Sequence, residues 1–284
     1  MKGRADRLVV AVCSGRVEDV RRRWKHNIAQ LDEDDYLVVM DCAGTEEIRR
    51  IGEEITAAGG TVHVQGRRMG LSTARNHVLA VHPDRRILFL DDDALLDRDA
   101  LDAVRDAFRD GAEVVGTRLS PPPERTRLPG FMTTGQMHLL GWHAPGEPVK
   151  IWGACMGVDA AFATCHGLTF DLRLGRTGRR LESGDDTSFI ARMKEHGARE
   201  TVLPDVEVIH DVHPARLSVR YLARRAYWQG RSEARRGQAR AGLRKEWRRY
   251  RTGGGSPRAL LLAVWYAGAV VAGIAHETLG NGRS

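Results

Sequence analysis

The chain has 284 residues, 42% hydrophobic and 29% charged, with a net charge of +7. That length and balance exclude a chain too small or too polar to bury a core, and fit one large soluble globular domain, alone or with an appendage. The charge is uneven: arginines crowd positions 216–251 and the preceding chain is mildly acidic, so the tail reads either as a solvated arginine-rich helix face or as a surface for nucleic acid, anionic lipid or an acidic partner.

Met1–Asp6 leads straight into Leu8–Cys13, an apolar run of buried-strand length. No leader pattern precedes it, and a cytoplasmic location is expected. Ser14-Gly15-Arg16 turns off that strand. Val17–Gln30 has helical spacing, with Val20, Trp24, Ile28 and Leu31 on one face. Tyr36–Met40 is a second strand with Asp41 at its tip. Thr45 is placed to cap a helix over Glu46–Ala58, which Gly59-Gly60 stops. Thr61–Val64 is a third strand, and Gly70–Asn76 leads into a helix over Ala74–Val81. The four cysteines (Cys13, Cys42, Cys155, Cys165) show no C-x-x-C pairing, so buried reduced thiols are expected rather than zinc or disulfides.

Next comes Ile87-Leu88-Phe89-Leu90, ending in Asp91-Asp92-Asp93. Three adjacent acids at a strand tip repel one another and call for a cation, and hard oxygen ligands suit Mg²⁺ or Mn²⁺. Strand alternation puts Asp91 and Asp93 on one side and Asp92 on the other. The plainer reading is an acidic turn capping a helix over Asp97–Phe108. Strand and helix have alternated to this point, the pattern of a parallel sheet covered on both faces, with right-handed crossovers. There is neither G-x-G-x-x-G nor G-x-x-x-x-G-K-[ST], so phosphate binding falls to something else, for which a metal on the aspartates is the natural supplier.

Glu113–Thr117 is a further strand. A long irregular stretch, Pro121 to Val149, then carries Phe131, Met132, Met137, His138 and Trp142, too many apolar groups for a solvated linker. Ile151–Val158 is a small-residue strand and Asp159–Cys165 a helix. A second acidic cluster, Glu182 to Thr187, precedes a helix with Phe189, Ile190 and Met193 on one side, closed by Gly197; acids there could serve only the helix dipole. Glu207–Ile209 is the last strand, followed by His210 and His213, either of which could be a metal ligand or a turn residue. Leu217–Tyr250 is helical and basic, Gly253–Pro257 a break, and Ala259–Ala275 apolar and at the short limit for a membrane span. That segment could pack on the domain, meet a second copy of the chain, or lie on an anionic membrane surface.

In this order the pieces resemble a family 2 glycosyltransferase of GT-A fold. They are the first strand, the second strand ending in Asp41, Gly70-x-x-x-Ala74-Arg75-Asn76, Leu90-Asp91-Asp92-Asp93, Trp152–Met156, Gly184-Asp185-Asp186 with Arg192, Glu195 and Gly197, and His210. The resemblance spans roughly Leu8–Pro214. It implies an α/β fold with a mostly parallel central sheet flanked by helices. Residues 1–215 would be the catalytic domain, divided into a Rossmann-like nucleotide-sugar-binding half (1–118) and an acceptor half (119–215), with residues 216–284 a basic helical extension.

The resemblance also implies an inverting, metal-dependent transfer of a sugar from a nucleotide sugar, UDP-linked in the commonest case, to an acceptor hydroxyl. Ser14, Asp41, Arg75, Asp91 and Asp92 would bind the donor. Asp41 would accept from the base N–H and Arg75 would pair with donor phosphate or base. Asp93, Asp91 and His210 would hold Mn²⁺ or Mg²⁺. Asp186 would be the general base, oriented or made more basic by Asp185. The chain departs from the family pattern at Cys42, where a second acid is usual, and at Asp185, which is shorter than the usual Glu, so Glu182 also stands as a candidate base. His213 stands as a rival to His210. Two readings outside the resemblance are a sugar-phosphate nucleotidyltransferase, for which Ser14-Gly15-Arg16 is a poor phosphate loop, and a nucleic-acid-binding protein using residues 216–251, which leaves both acidic clusters unexplained. No nucleic acid is expected as partner. A homodimer and membrane contact through residues 216–279, at the inner face of the membrane, are expectations of the tail.

Overall fold

A computed structural model describes residues 7–32, 34–125, 127–178, 180–241, 244 and 257–280, with the side chains of 257–263 and 280 left aside. Among these residues eight strands form one sheet in the order β3-β2-β1-β4-β7-β6-β8-β5. The strands are β1 (Leu8–Ser14), β2 (Asp35–Met40), β3 (Thr61–Val64), β4 (Arg86–Leu90), β5 (Ala94–Leu95), β6 (Val114–Ser120), β7 (Cys155–Asp159) and β8 (Glu200–His210). The pairings β3–β2, β2–β1, β1–β4 and β6–β8 are parallel, and those that β7 makes with β4 and β6, and β5 with β8, are antiparallel.

The helices are α1 (Val17–Ile28), α2 (Glu46–Ala57), α3 (Leu71–Val81), α4 (Arg98–Arg109), α5 (Ala160–Cys165), α6 (Asp185–Glu195), α7 (Val219–Arg235) and α8 (Pro257–Gly280). The strand β1 shows why the sheet is covered on both sides. Leu8, Val10 and Val12 pack with Trp24, Ile51, Ile55, Val104 and Phe108 of α1, α2 and α4. Val9 and Ala11 pack with Ala74, Val78, Phe189 and Met193 of α3 and α6. Side chains of period two, apolar on both faces, are what such burial requires. Asp97 caps α4, accepting from the Ala100 N–H at 2.7 Å, and Thr45 caps α2 through the Ile48 N–H at 3.3 Å.

Several boundaries differ from the expectation. The helix α3 starts at Leu71 rather than Ala74, its Leu71 N–H donating to the Arg176 carbonyl at 3.0 Å. Residues 151–154 form a turn, so β7 begins only at Cys155. The strand β8 runs from Glu200, not Glu207, because β6 pairs with it through an irregularity after Thr117 that absorbs Pro204. The two-residue β5 had no signal of its own. The stretch from Pro121 holds a 3-10 helix, Thr134–Leu140, that begins at a Thr133/Gln136 capping box. Its Met137, Leu139 and Leu140 join Trp142 in a third core with Val212 and with Leu222, Ala226, Tyr266 and Val270 of α7 and α8.

The segment expected as apolar tail is therefore packed through one face on α7, while Val264, Trp265, Val271 and Leu279 stay exposed. No helix among the described residues is long and apolar enough to cross a membrane. The expected helical stretch beyond residue 241 and the Gly253–Pro257 break lie almost wholly outside the described residues.

Candidate active site

Strand order turns at β1: β2 and β3 lie on one side of it and β4 on the other. The carboxyl ends of β1 and β4 thus flank a crevice of the kind in which open α/β sheets bind ligands. Ser14 ends β1, and Asp91 follows β4, its N–H donating to the Ala154 carbonyl at 3.1 Å. The two tips face a cavity of about 640 Å³ whose walls are completed by residues 138–141, 152–154, 181–187, by His210, His213, Ala215 and Arg216, and by α7.

The three aspartates part as alternation foretold, although they sit in the turn after β4. Asp92 accepts a hydrogen bond from the Ser14 hydroxyl. Desolvation and the adjacent Asp93 charge push its carboxyl up to about 7 against that hydrogen bond. Asp91 and Asp93 turn the other way, toward His210 at the end of β8. His210 Nε2 lies 2.8 Å from Asp93 Oδ1 and 4.0 Å from Asp91 Oδ2, with Nδ1 3.3 Å from the Gly141 carbonyl. One ligand atom from each of the three residues lies within 4.8 Å of the other two. His213 stays out of the group: it accepts from the Ala215 N–H at 3.1 Å and starts the turn Pro214–Leu217.

That turn delivers Arg216, which the sequence reading missed. Its Nη1 stands 2.8 Å from Asp93 Oδ2, an ion pair out of line for a hydrogen bond, which leaves this buried oxygen without a hydrogen-bond donor. Burial alone would raise the Asp93 carboxyl, but Arg216 and His210 outweigh it and hold the group well below the carboxylate range. Burial likewise opposes charge on His210, and Asp93 overcomes it, raising the imidazole above its ordinary value. Two carboxylates and an imidazole of this spacing, with a buried carboxylate oxygen lacking a donor, fit a divalent cation of the Mn²⁺ type.

Asp41 and Arg75 are where the sequence placed them in the chain, but their contacts differ from those expected. Asp41 receives the N–H groups of Met69 (2.5 Å) and Gly70 (2.9 Å), fixing the approach to α3. Arg75 is 2% exposed and borders the same cavity. Its guanidinium meets Asp185 Oδ2 at 2.7 Å, the Gly153 carbonyl at 2.9 Å and Asp91 Oδ1 at 3.5 Å. Its guanidinium thus ties both acidic clusters together. Desolvation raises the Asp185 carboxyl against the pull of Arg75.

Asp186 differs from its neighbour. Oδ2 accepts from the Gly153 N–H at 2.8 Å and Oδ1 from the Thr187 N–H at 2.7 Å, and the side chain borders the cavity. Glu182, the other candidate, is buried against Arg235 of α7. Asp186 is thus the acid of the second cluster that stands in the cavity wall without an arginine ion pair among the described residues.

The sequence model of glycosyl transferase family 2 matches residues 8–159, just over half of the 284-residue chain. No curated protein matches it. Among solved structures, the mannosyltransferase PcManGT from Pyrobaculum calidifontis, in complex with GDP-Man and Mn²⁺, is 18% identical with a TM-score of 0.56, covering 98% of this chain and 76% of its own. S. aureus TarS 1–349 in complex with UDP is 15% identical, TM-score 0.54, covering 98% and 92%. GalNAc-T7 with UDP, GalNAc and Mn²⁺ is 11% identical, TM-score 0.56, covering 98% of this chain and 58% of its own. At these identities the likeness is one of fold.

Proposed function

The chain belongs to glycosyl transferase family 2, and from that premise we propose that it transfers a sugar from a UDP-sugar to an acceptor hydroxyl with inversion at the anomeric carbon. The observation that carries the reading is the meeting of Asp91, Asp93 and His210 on one side of the cavity, with Asp186 in the wall of the same cavity. UDP is supported as the donor's nucleotide by two of the three compared structures, which bind UDP, and Mn²⁺ by the two that hold it.

Asp91, Asp93 and His210 would hold a divalent cation, which when bound would supply positive charge against that building on the departing diphosphate. Arg216 keeps Asp93 ionised and ready as a ligand. The Gly141 carbonyl accepts a hydrogen bond from the His210 Nδ1–H, which leaves Nε2 facing the carboxylates. Asp186 takes the proton of the acceptor hydroxyl as that oxygen attacks the sugar. The N–H groups of Gly153 and Thr187 hold its carboxylate in place. Asp185, engaged by Arg75, orients the segment and does not compete for the proton. A single displacement with one base inverts the configuration.

The test is nucleotide release from a panel of nucleotide sugars, with Mn²⁺ and with EDTA. Wild type is compared with Asp93→Asn, which keeps the side chain's shape and removes its charge. The reading expects UDP release that needs metal and is lost in the variant. Absence of metal-dependent interaction with every nucleotide sugar would sink it, and preference for a GDP- or dTDP-sugar would replace the donor.

A further inference from the structure

The cavity wall beside Asp186 carries positive charge that the transfer reaction itself does not use. Ser183 and Gly184 stand just before Asp185 and Asp186, and two arginines from the end of the chain's core flank them. Arg225 Nη1 lies 3.2 Å from Ser183 Oγ and 3.5 Å from the Leu181 carbonyl. Arg236 lies against Gly184, so close that a Cβ there would stand 2.8 Å from the guanidinium carbon. Among the described residues its Nε donates to the Ser232 carbonyl, at 3.4 Å. Arg176 and Tyr221 line the same cavity. The Tyr221 hydroxyl and Arg225 Nε are buried without hydrogen-bond partners.

The other arginines of this region are matched to acids: Arg75 to Asp185, Arg216 to Asp93 and Arg235 to Glu182. Among the described residues Arg176, Arg225 and Arg236 have no such match. Two acids share their wall: Asp186, held by the Gly153 and Thr187 N–H groups, and Glu233, whose Oε1 accepts from Gln229 at 3.1 Å and whose Oε2 has no hydrogen-bond partner among the described residues. Three guanidiniums against two carboxylates leave an excess of positive charge in a partly desolvated place, which is costly unless an anion is bound there. The titration of the groups agrees: burial and the Arg176 charge depress the Arg225 guanidinium. Burial would raise the Tyr221 phenol, but Arg176, Arg216 and Arg225 together lower it.

We propose that the acceptor bears a phosphate-class anionic group, bound by Arg225, Arg236, Arg176 and Tyr221 so that its reacting hydroxyl is presented to Asp186. A phosphate offers several acceptor oxygens to planar guanidiniums and a phenol O–H, which a single carboxylate does not. The proposal rests on the transferase reading. The phosphate belongs either to a soluble sugar phosphate or to a lipid headgroup, and the chemistry of recognition is the same.

The experiment is calorimetric titration of inorganic phosphate into the full chain saturated with UDP and Mn²⁺, against chloride at equal ionic strength. One phosphate per chain is expected. Arg225→Gln should weaken it at least about tenfold, the loss of a charge-assisted hydrogen bond, and Arg225→Lys should restore part of it. Arg236→Gln serves as the second variant, and thermal melts confirm that each folds. Competition by a hexose phosphate and by dodecyl phosphate micelles then separates the soluble source from the lipid one, the tighter ligand naming it. Phosphate binding that UDP abolishes would belong to the donor subsite and overturn the proposal, as would binding unchanged in Arg225→Gln and Arg236→Gln, or none at all. Metal-dependent UDP binding by the wild type is read in the same cell, so a failed transferase reading is told apart from a failed phosphate site.

Discussion

At the scale of single residues, the site is built by pairing acids that could otherwise not be buried. Asp185 and Asp93 are both nearly inaccessible, and each has a buried arginine, Arg75 and Arg216. Asp186 has no arginine ion pair among the described residues, and that difference supports the proposal that it is the base. Asp186→Asn should lower kcat by about 10²–10⁴-fold, the usual worth of a general base, with donor KM little changed. Steady-state kinetics with a competent acceptor measures it, and a merely orienting Asp186 would shift KM instead. The buried thiol of Cys13 supplies a second residue-scale prediction. Desolvation raises it from 9.0 to about 12. The unfolded chain therefore loses this proton near pH 9 and the folded chain keeps it, so the stability contributed by the neutral thiol is present below pH 9 and falls as pH rises toward 12. Its share of the slope is about 1.4 kcal/mol per pH unit. Denaturant titrations across that range should show the loss, and Cys13→Ala should flatten it relative to wild type.

At the scale of elements, the 3-10 helix Thr134–Leu140 bears directly on the metal cluster. It ends at Gly141, whose φ of 74° is left-handed and whose Cβ, if present, would lie 2.8 Å from His210 Cε1. Gly141→Ala should therefore displace His210 or strain the turn by about 1–2 kcal/mol. The expected outcome is weaker Mn²⁺ binding in the presence of UDP with only a modest fall in melting temperature, read by calorimetry and by thermal melts. The alternating α and β elements of the first half were legible because their apolar residues repeat at helical or strand spacing. The strand β8 was read as three residues where there are eleven, since Pro204 and the charged side chains of an irregular, partly exposed strand carry no local periodicity. The apolar residues within 121–149 were visible, but neither the Thr133/Gln136 capping box nor the core that they form with α7 and α8 was read from them.

At the scale of the whole molecule, the site joins residues from both ends of the sheet and from the segment after it, so ligand binding and folding are coupled. Mn²⁺ with UDP at about 100 times its dissociation constant should add about 2.7 kcal/mol to stability. Thermal melts should show an upward shift that EDTA removes and that Asp93→Asn lacks. A shift of equal size in the variant would place the metal elsewhere. The same coupling runs through α7 and α8: Gly273 lets α8 approach so near that a Cβ would stand 2.0 Å from the Tyr227 carbonyl. Glu277 then receives Arg231 at 2.7 Å and Arg235 at 2.6 Å, and Arg235 also holds Glu182 in the cavity wall.

By itself the sequence determined the α/β alternation, the acidic tips, the choice of Asp91 and Asp93 as one side of a D-x-D pair, and the family. These are local properties, written in period, charge and the order of short motifs. Tertiary structure alone decided which charges meet. Arg75 reaches Asp185 110 residues away, and His210 reaches Asp93 across 117. It buried Arg75 between the two acidic clusters, set His210 rather than His213 beside Asp93, and brought Arg216 and Arg225 from a stretch that reads as a basic helix face. Pairing of this kind depends on which strands become neighbours and how the chain returns over the sheet. A buried charge is stable only beside its partner, and that partner is set by the fold as a whole.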